Sequence, residues 1–286
     1  MEEKGMNFDI PGKWRGADGV LFWWQGDEEE LVLPEGITEL REYSFRGESG
    51  LKRIVLPESL VKIGRDAFKR CTSLQEVVFG KGLRIIDTGA FSGCKALLSA
   101  ILPEGLEVLE SSAFEDCKNL KRFYIPGGIR AVNASTFKNC SALEEVTISE
   151  GVESISIFAF DSCTSLKSVT LPSTLKNLHK SFYKCTSLSE VKMEFSGVIK
   201  AGASVFFGCN NPLSVTFKGT SEEFKKSFGP VYTYPEYDMM YGERCVGHWH
   251  YPLGHPDGEK FICRAYCEAD GATVELEGGK VGPFGD

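Results

Sequence analysis

Cysteines recur at positions 71, 94, 117, 140, 163, 185 and 209, separated by 23, 23, 23, 23, 22 and 24 residues, and each stands three places after a phenylalanine: Phe68, Phe91, Phe114, Phe137, Phe160, Phe182 and Phe206. Self-similarity at a fixed period of this length is the mark of a solenoid. It constrains the fold more strongly than any local helix or strand preference, because each unit is too small to bury its own apolar edge and must stack on the next.

Written as a template, the unit is L-x-x-V-x-L-P-x-x-L-x-x-I-x-x-x-A-F-x-x-C-x-x. Its fourth to sixth positions include Ile54-Val55-Leu56, Ala100-Ile101-Leu102, Phe123-Tyr124-Ile125 and Val169-Thr170-Leu171. β-Branched and aromatic residues with alternating inward and outward positions predict a short strand. Proline follows it at 34, 57, 103, 126 and 172, where a missing N–H matters least. A second apolar pair, such as Leu60 with Ile63 or Leu106 with Leu109, predicts another brief extended segment. The small residue of A-F-x-x-C suggests a tight helical turn pressed against its neighbours. Two irregularities, one residue missing between Leu178 and Phe182 and one added around Glu194–Val198, are expected to bulge loops without breaking the stack.

This register of Leu, Phe and Cys resembles the leucine-rich repeats of the BspA-like, or Treponema pallidum-type, family over roughly residues 20–217. The lead-in "GVLFWWQGDEEELVLPEGITELREYSF" looks like that family's opening repeat, with Glu48 where the first cysteine would fall. The resemblance implies a leucine-rich repeat solenoid: a β-rich, right-handed stack of about eight coils with short strands, short helical turns and a parallel sheet along one face. Three regions are expected, namely an N-terminal capping hairpin over 1–30, the solenoid over 31–217, and an irregular α+β C-terminal cap over 218–286. Relatives of this type are often bacterial or protist surface proteins that adhere to host proteins or to other cells.

In a register-locked stack the thiols form a column. Parallel Cβ vectors suit neither a disulfide nor a shared metal ion, so the cysteines are read as a buried structural ladder that weakly hydrogen bonds nearby backbone. At the N-terminal end, Leu21-Phe22-Trp23-Trp24, the turn residues Gln25-Gly26-Asp27 and Leu31-Val32-Leu33 predict a hairpin whose aromatic face seals the first coil. An aromatic ligand shelf is the alternative. At the other end, "GTSEEFKKSF" has a Thr220 or Ser221 cap, acidic Glu222 and Glu223, and Phe224 with Phe228 at i and i+4, which predicts a short amphipathic helix.

Metal chemistry has one candidate constellation: Cys245, His248, His250, His255, Cys263 and Cys267. Cys245, His248, Cys263 and Cys267 have the residue types of a tetrahedral zinc site, and a zinc-dependent catalytic or sensing role is the alternative function. Against it, "FICRAYCEADGATVEL" reads as a strand, a turn at Asp270-Gly271 and a second strand, which separates Cys263 from Cys267 by about 13 Å. No phosphate loop, nucleophile elbow, metalloprotease or kinase motif occurs, and His179 reads as an exposed loop residue rather than a base. Catalysis is not expected, nor is a cofactor.

A net charge of −8 disfavours a broad grip on nucleic acid or an anionic membrane, and no apolar run is long enough to span a bilayer. The opening "MEEKGMNFDIPGKW" lacks a secretion-signal pattern. As written, the chain reads as cytoplasmic; a chain that had lost its leader would read the same way, and then the cell surface or secretion is expected. What remains is the outward face of the strands. One column runs Val55, Val78, Ile101, Tyr124 and then turns polar; the next holds Arg53, Glu76 and Arg122. The apolar stripe and this charged rim are the candidate contact site for a protein partner. The other reading is that these β-branched residues serve only cross-strand packing within the sheet.

Overall fold

The computed structural model describes residues 14–202, 204–209, 213–228 and 261–278. Each coil contributes one strand to a long sheet and one to a second ribbon. Among the described residues the long sheet has 11 strands, and nine of them, from Glu30–Val32 through Arg53–Val55 and Glu76–Val78 to Leu213–Phe217, follow each other in parallel, in coil order. The register is locked residue on residue, Arg53 opposite Glu76 and Val55 opposite Val78. The expected second extended segment is there too, as pairs such as Lys62–Ile63 and Ile85–Ile86. Both irregular coils keep their place, since Ser168–Leu171, Glu190–Met193 and Leu213–Phe217 remain paired.

Inside the stack the phenylalanines form one column. Phe68 lies 5.0 Å from Phe91 at 4° and Phe160 lies 5.2 Å from Phe182 at 1°, all of them buried. Offset stacking of this kind adds to the burial of each ring. Trp24 closes the column at one end, 6.1 Å from Phe45, and Phe228 closes it at the other, 6.4 Å from Phe206.

The A-F-x-x-C segment is not the expected helical turn. It is a run of tight turns in which every second N–H stays within its coil, as in Ala67 N to Gly64 O, Lys69 N to Asp66 O and Cys71 N to Phe68 O. The intervening ones cross to the next coil: Asp66 N to Thr88 O, Phe68 N to Ala90 O and Arg70 N to Ser92 O. Left-handed residues two before and two after each Phe make this possible, with φ of 53° at Asp66 and 62° at Arg70. A helix would have closed every bond within its own coil and left that edge without backbone partners from its neighbour.

The N-terminal hairpin also differs from expectation. Trp14–Ala17 pairs antiparallel with Val20–Trp24 across Asp18-Gly19, both left-handed, whereas Glu30–Val32 pairs with Arg53–Val55 in the long sheet. Two consecutive positive φ values suit a two-residue hairpin turn, and Gln25-Gly26-Asp27 instead carries the chain from one ribbon to the other. At the C-terminal end the expected elements appear: a helix over Ser221–Phe228, then Phe261–Cys267 antiparallel to Ala272–Gly278, with Phe261–Cys267 added to the edge of the long sheet beside Leu213–Phe217.

The second ribbon is interrupted once. Among the described residues it divides into six strands and four, because Val108–Leu109 and Ala131–Val132 do not pair. Where Glu107, Val108 and Glu110 each bond the preceding coil through backbone N–H, the matching N–H groups of Arg130, Ala131 and Asn133 do not, and the Asn133 side chain reaches Leu109 O at 2.9 Å instead. The core beside the breach is irregular as well. Phe123 occupies an inward position held elsewhere by Ile54, Val77 or Val146, and its ring is wedged against Phe114 at 4.9 Å and Phe137 at 4.5 Å. Ala100, its partner in register, makes room on one side only. A cleft of about 410 Å3 results, lined by Glu107, Leu109, Ile129, Arg130 and Asn133 among others. Shortening the wedge in a Phe123→Val variant is expected to close the ribbon, raising hydrogen-exchange protection of Ala131 and Asn133 to that of Ile85 and Asp87. Unchanged exchange at those two amides would show that Phe123 does not hold the breach open.

Candidate interaction surface

The long sheet presents one residue per coil outward along a straight column. The register carries it from Val32 to Val55 to Val78, and from Tyr124 through Thr147, Thr170, Lys192 and Thr216 to Tyr266. Ile101 sits between the two runs in the intervening coil. Exposure varies along it: Ile101 is 80% exposed, Val32 67% and Tyr124 36%, while Val55 and Val78 are half-buried. The stripe is therefore one coil longer than the sequence suggested, because Val32 precedes the first full repeat and its place in the column is set only by pairing with Val55.

The neighbouring column holds Arg53, Glu76, Arg122 and Glu145. Arg53 Nε donates to Glu76 Oε2 at 3.0 Å, and Arg122 Nε lies 3.4 Å from Glu145 Oε2. The rim is thus composed of cross-strand ion pairs, exposed enough that each adds little stability.

The cysteines behave as a structural ladder. Each thiol donates to the carbonyl of the phenylalanine in the coil before: Cys71 Sγ to Phe45 O at 3.0 Å, Cys94 to Phe68 O at 3.1 Å, Cys140 to Phe114 O at 3.2 Å and Cys209 to Phe182 O at 3.2 Å. Burial pushes the thiols of Cys94, Cys117, Cys140, Cys163 and Cys209 up, away from the thiolate form needed for nucleophilic attack or metal ligation. The interval of three after Phe places the sulfur under the carbonyl of the coil beneath.

Of the zinc candidates, Cys245, His248, His250 and His255 lie outside the described residues. Cys263 and Cys267 are buried on the inward side of one regular strand, alternating with exposed Arg264 and Tyr266. Burial raises the Cys263 thiol to about 12 and also raises that of Cys267. Among the described residues no group of three or more His, Cys, Asp or Glu is placed to hold a metal ion. No helix of the described residues is long and apolar enough to cross a membrane.

A family model described as the BspA type leucine rich repeat region matches residues 20–144 and 131–228, in six copies. Among solved structures, a leucine rich cell surface protein from Faecalibacterium prausnitzii superposes with a TM-score of 0.61 at 19% identity, covering 74% of this chain and 70% of that one. A leucine-rich repeat protein from Eubacterium ventriosum gives 0.51 at 20% identity, over 63% of this chain and 59% of that one. The T. pallidum leucine rich repeat protein gives 0.49 at 29% identity, over 66% and 80%. No curated protein matches the chain.

Proposed function

The chain belongs to the BspA-type leucine-rich repeat family, whose repeats generally serve protein interaction or surface adhesion, and we propose that it captures a protein partner on the stripe Val55, Val78, Ile101 and Tyr124, extended by Val32. The observation that carries this reading is Ile101, an isoleucine left 80% exposed in line with apolar residues of adjacent coils. Cross-strand packing alone rewards a residue for the area it covers, and Ile101 covers little. The paired charges Arg53–Glu76 and Arg122–Glu145 frame the stripe and set the partner's orientation. The role is one of binding, without catalysis or cofactor, and the acidic chain is not a partner for nucleic acid or for membrane insertion. Display outside the cell belongs to the same proposal, and protease shaving of intact cells of the native organism tests it.

The stripe is tested by capture from the native organism, identification of the prey, and titration of that purified prey. An Ile101→Glu/Tyr124→Glu variant is expected to weaken binding by about 100-fold or more, as for two central contacts of an interface. Its melting temperature should stay near that of the parent, because both sites are on the surface. Equal affinity of variant and parent for the purified prey would remove the stripe as the site.

A further inference from the structure

On the turn edge of the sixth to eighth coils, far from the stripe in the template, three half-buried rings line up. Tyr183 stacks on Phe207 at 4.8 Å and 6°, and Phe158 meets Tyr183 edge to face at 5.7 Å. Lysines gather over them. Lys138 Nζ and Lys180 Nζ stand 5.6 and 5.2 Å from the Phe158 centroid, and Lys180 and Lys184 stand 5.1 and 5.3 Å from that of Tyr183. Lys138 also faces the buried Asp161 at 3.7 Å. Among the described residues the ammonium groups of Lys180 and Lys184 have no carboxylate, only the rings. In a chain of net charge −8 this is a local concentration of fixed positive charge.

We propose that this edge binds a polyanionic glycan, a sugar chain bearing sulfate or carboxylate groups. The rings hold the two unpaired ammonium groups in place before any ligand arrives, which lowers the ordering cost of binding an anion. Other polyanions fit less well. A peptide strand needs free backbone groups to pair with, and here they are used between coils: Phe160 N to Ser181 O at 2.9 Å, Ser162 N to Tyr183 O at 2.8 Å, and Lys184 N to Phe207 O at 2.6 Å. Nucleic-acid bases need open ring faces, and Tyr183 and Phe207 close theirs on each other while lysines cover Phe158. Ring edges beside cations, repeated over adjacent coils, match a stiff chain with apolar C–H rims and charges fixed to it.

The test titrates the full chain with dextran sulfate by calorimetry, with neutral dextran and polyglutamate of similar length as parallel arms. Dextran sulfate is expected to bind and neutral dextran not to. A Lys180→Gln/Lys184→Gln variant that keeps the parent's circular dichroism should lose about tenfold or more in affinity. It should also lower the slope of log K against log salt by about 2, one per ammonium removed. A Lys52→Gln/Lys62→Gln variant, altered at lysines already paired with Glu29 and Glu39, should bind as the parent does. Absence of dextran sulfate binding, an equal loss in both lysine variants, or polyglutamate binding as tight as dextran sulfate would each overturn the proposal.

Discussion

Replacing Phe137 with alanine is expected to lower the unfolding free energy by about 3–5 kcal/mol, the range for removing a fully buried aromatic ring. Phe137 is 0% exposed and has three ring neighbours: Phe114 at 5.8 Å, Phe160 at 5.3 Å and Phe123 at 4.5 Å. The vacated volume cannot be filled by a shift of one side chain, since the coils on both sides are held by their own strand pairing, Ser99–Ala100 on Glu76–Val78 and Glu145–Ile148 on Ser168–Leu171. In a solenoid each coil is stabilised by its two neighbours, so weakening one interface in the middle also divides the cooperative unit. The breach in the second ribbon lies at this same coil, which removes backbone bonds that would otherwise hold the halves together. Urea unfolding followed by circular dichroism should therefore separate into two transitions in the variant. In a Trp249→Phe background, the signal of the remaining Trp14, Trp23 and Trp24 should report the N-terminal one. A single transition displaced by less than about 1 kcal/mol would mean that the ring column does not carry the coupling between coils.

The period made most of this legible, because a register-locked stack converts sequence spacing directly into columns. The inward Phe and Cys, both extended segments, the prolines after them and the outward stripe all follow from one template. What escaped depends on contacts that cross the template. The turn run is announced by Gly89, Gly93, Asp116 and Asn139, residues that tolerate a left-handed backbone, at the columns flanking Phe. The small residue of A-F-x-x-C is equally compatible with a helical turn, which hides that signal. In the N-terminal hairpin, Asp18-Gly19 is the stronger turn signal, but the expectation placed the turn at Gln25-Gly26-Asp27. Phe123 is visibly larger than its column mates, yet the breach beside it appears on the opposite ribbon, where no local pattern records it. The rings of the turn edge stand at different offsets, Phe158 two residues before its ladder Phe and Tyr183 and Phe207 one after. They meet only because the coils superpose.

The C-terminal helix offers the second large effect. The Phe column would end on an exposed ring at Phe206 if Phe228 did not cover it, and Phe224 covers Phe217 at 5.6 Å in the same way. Both helical rings are 1% exposed and pack on each other at 5.0 Å. The helix is fixed in place by a reciprocal cap, Thr220 N to Glu223 Oε2 at 2.8 Å and Glu223 N to Thr220 Oγ1 at 3.3 Å, and by Ile199 N donating to Ser227 Oγ at 3.1 Å. Terminal coils of a repeat stack have only one neighbour, so loss of the cover is felt first there. A Phe224→Ala/Phe228→Ala variant is expected to lose more than about 5 kcal/mol, less than twice the single-ring cost because the two rings share one contact. Hydrogen exchange should collapse at Leu213–Phe217 and Glu190–Met193 while Arg53–Val55 and Glu76–Val78 keep their protection. A Thr220→Ala variant, which removes only the cap, should cost about 1 kcal/mol and leave that gradient intact. Uniform loss of protection from one end to the other in the double variant would instead make the helix part of a single cooperative core, and the column would then be stabilised as a whole rather than coil by coil.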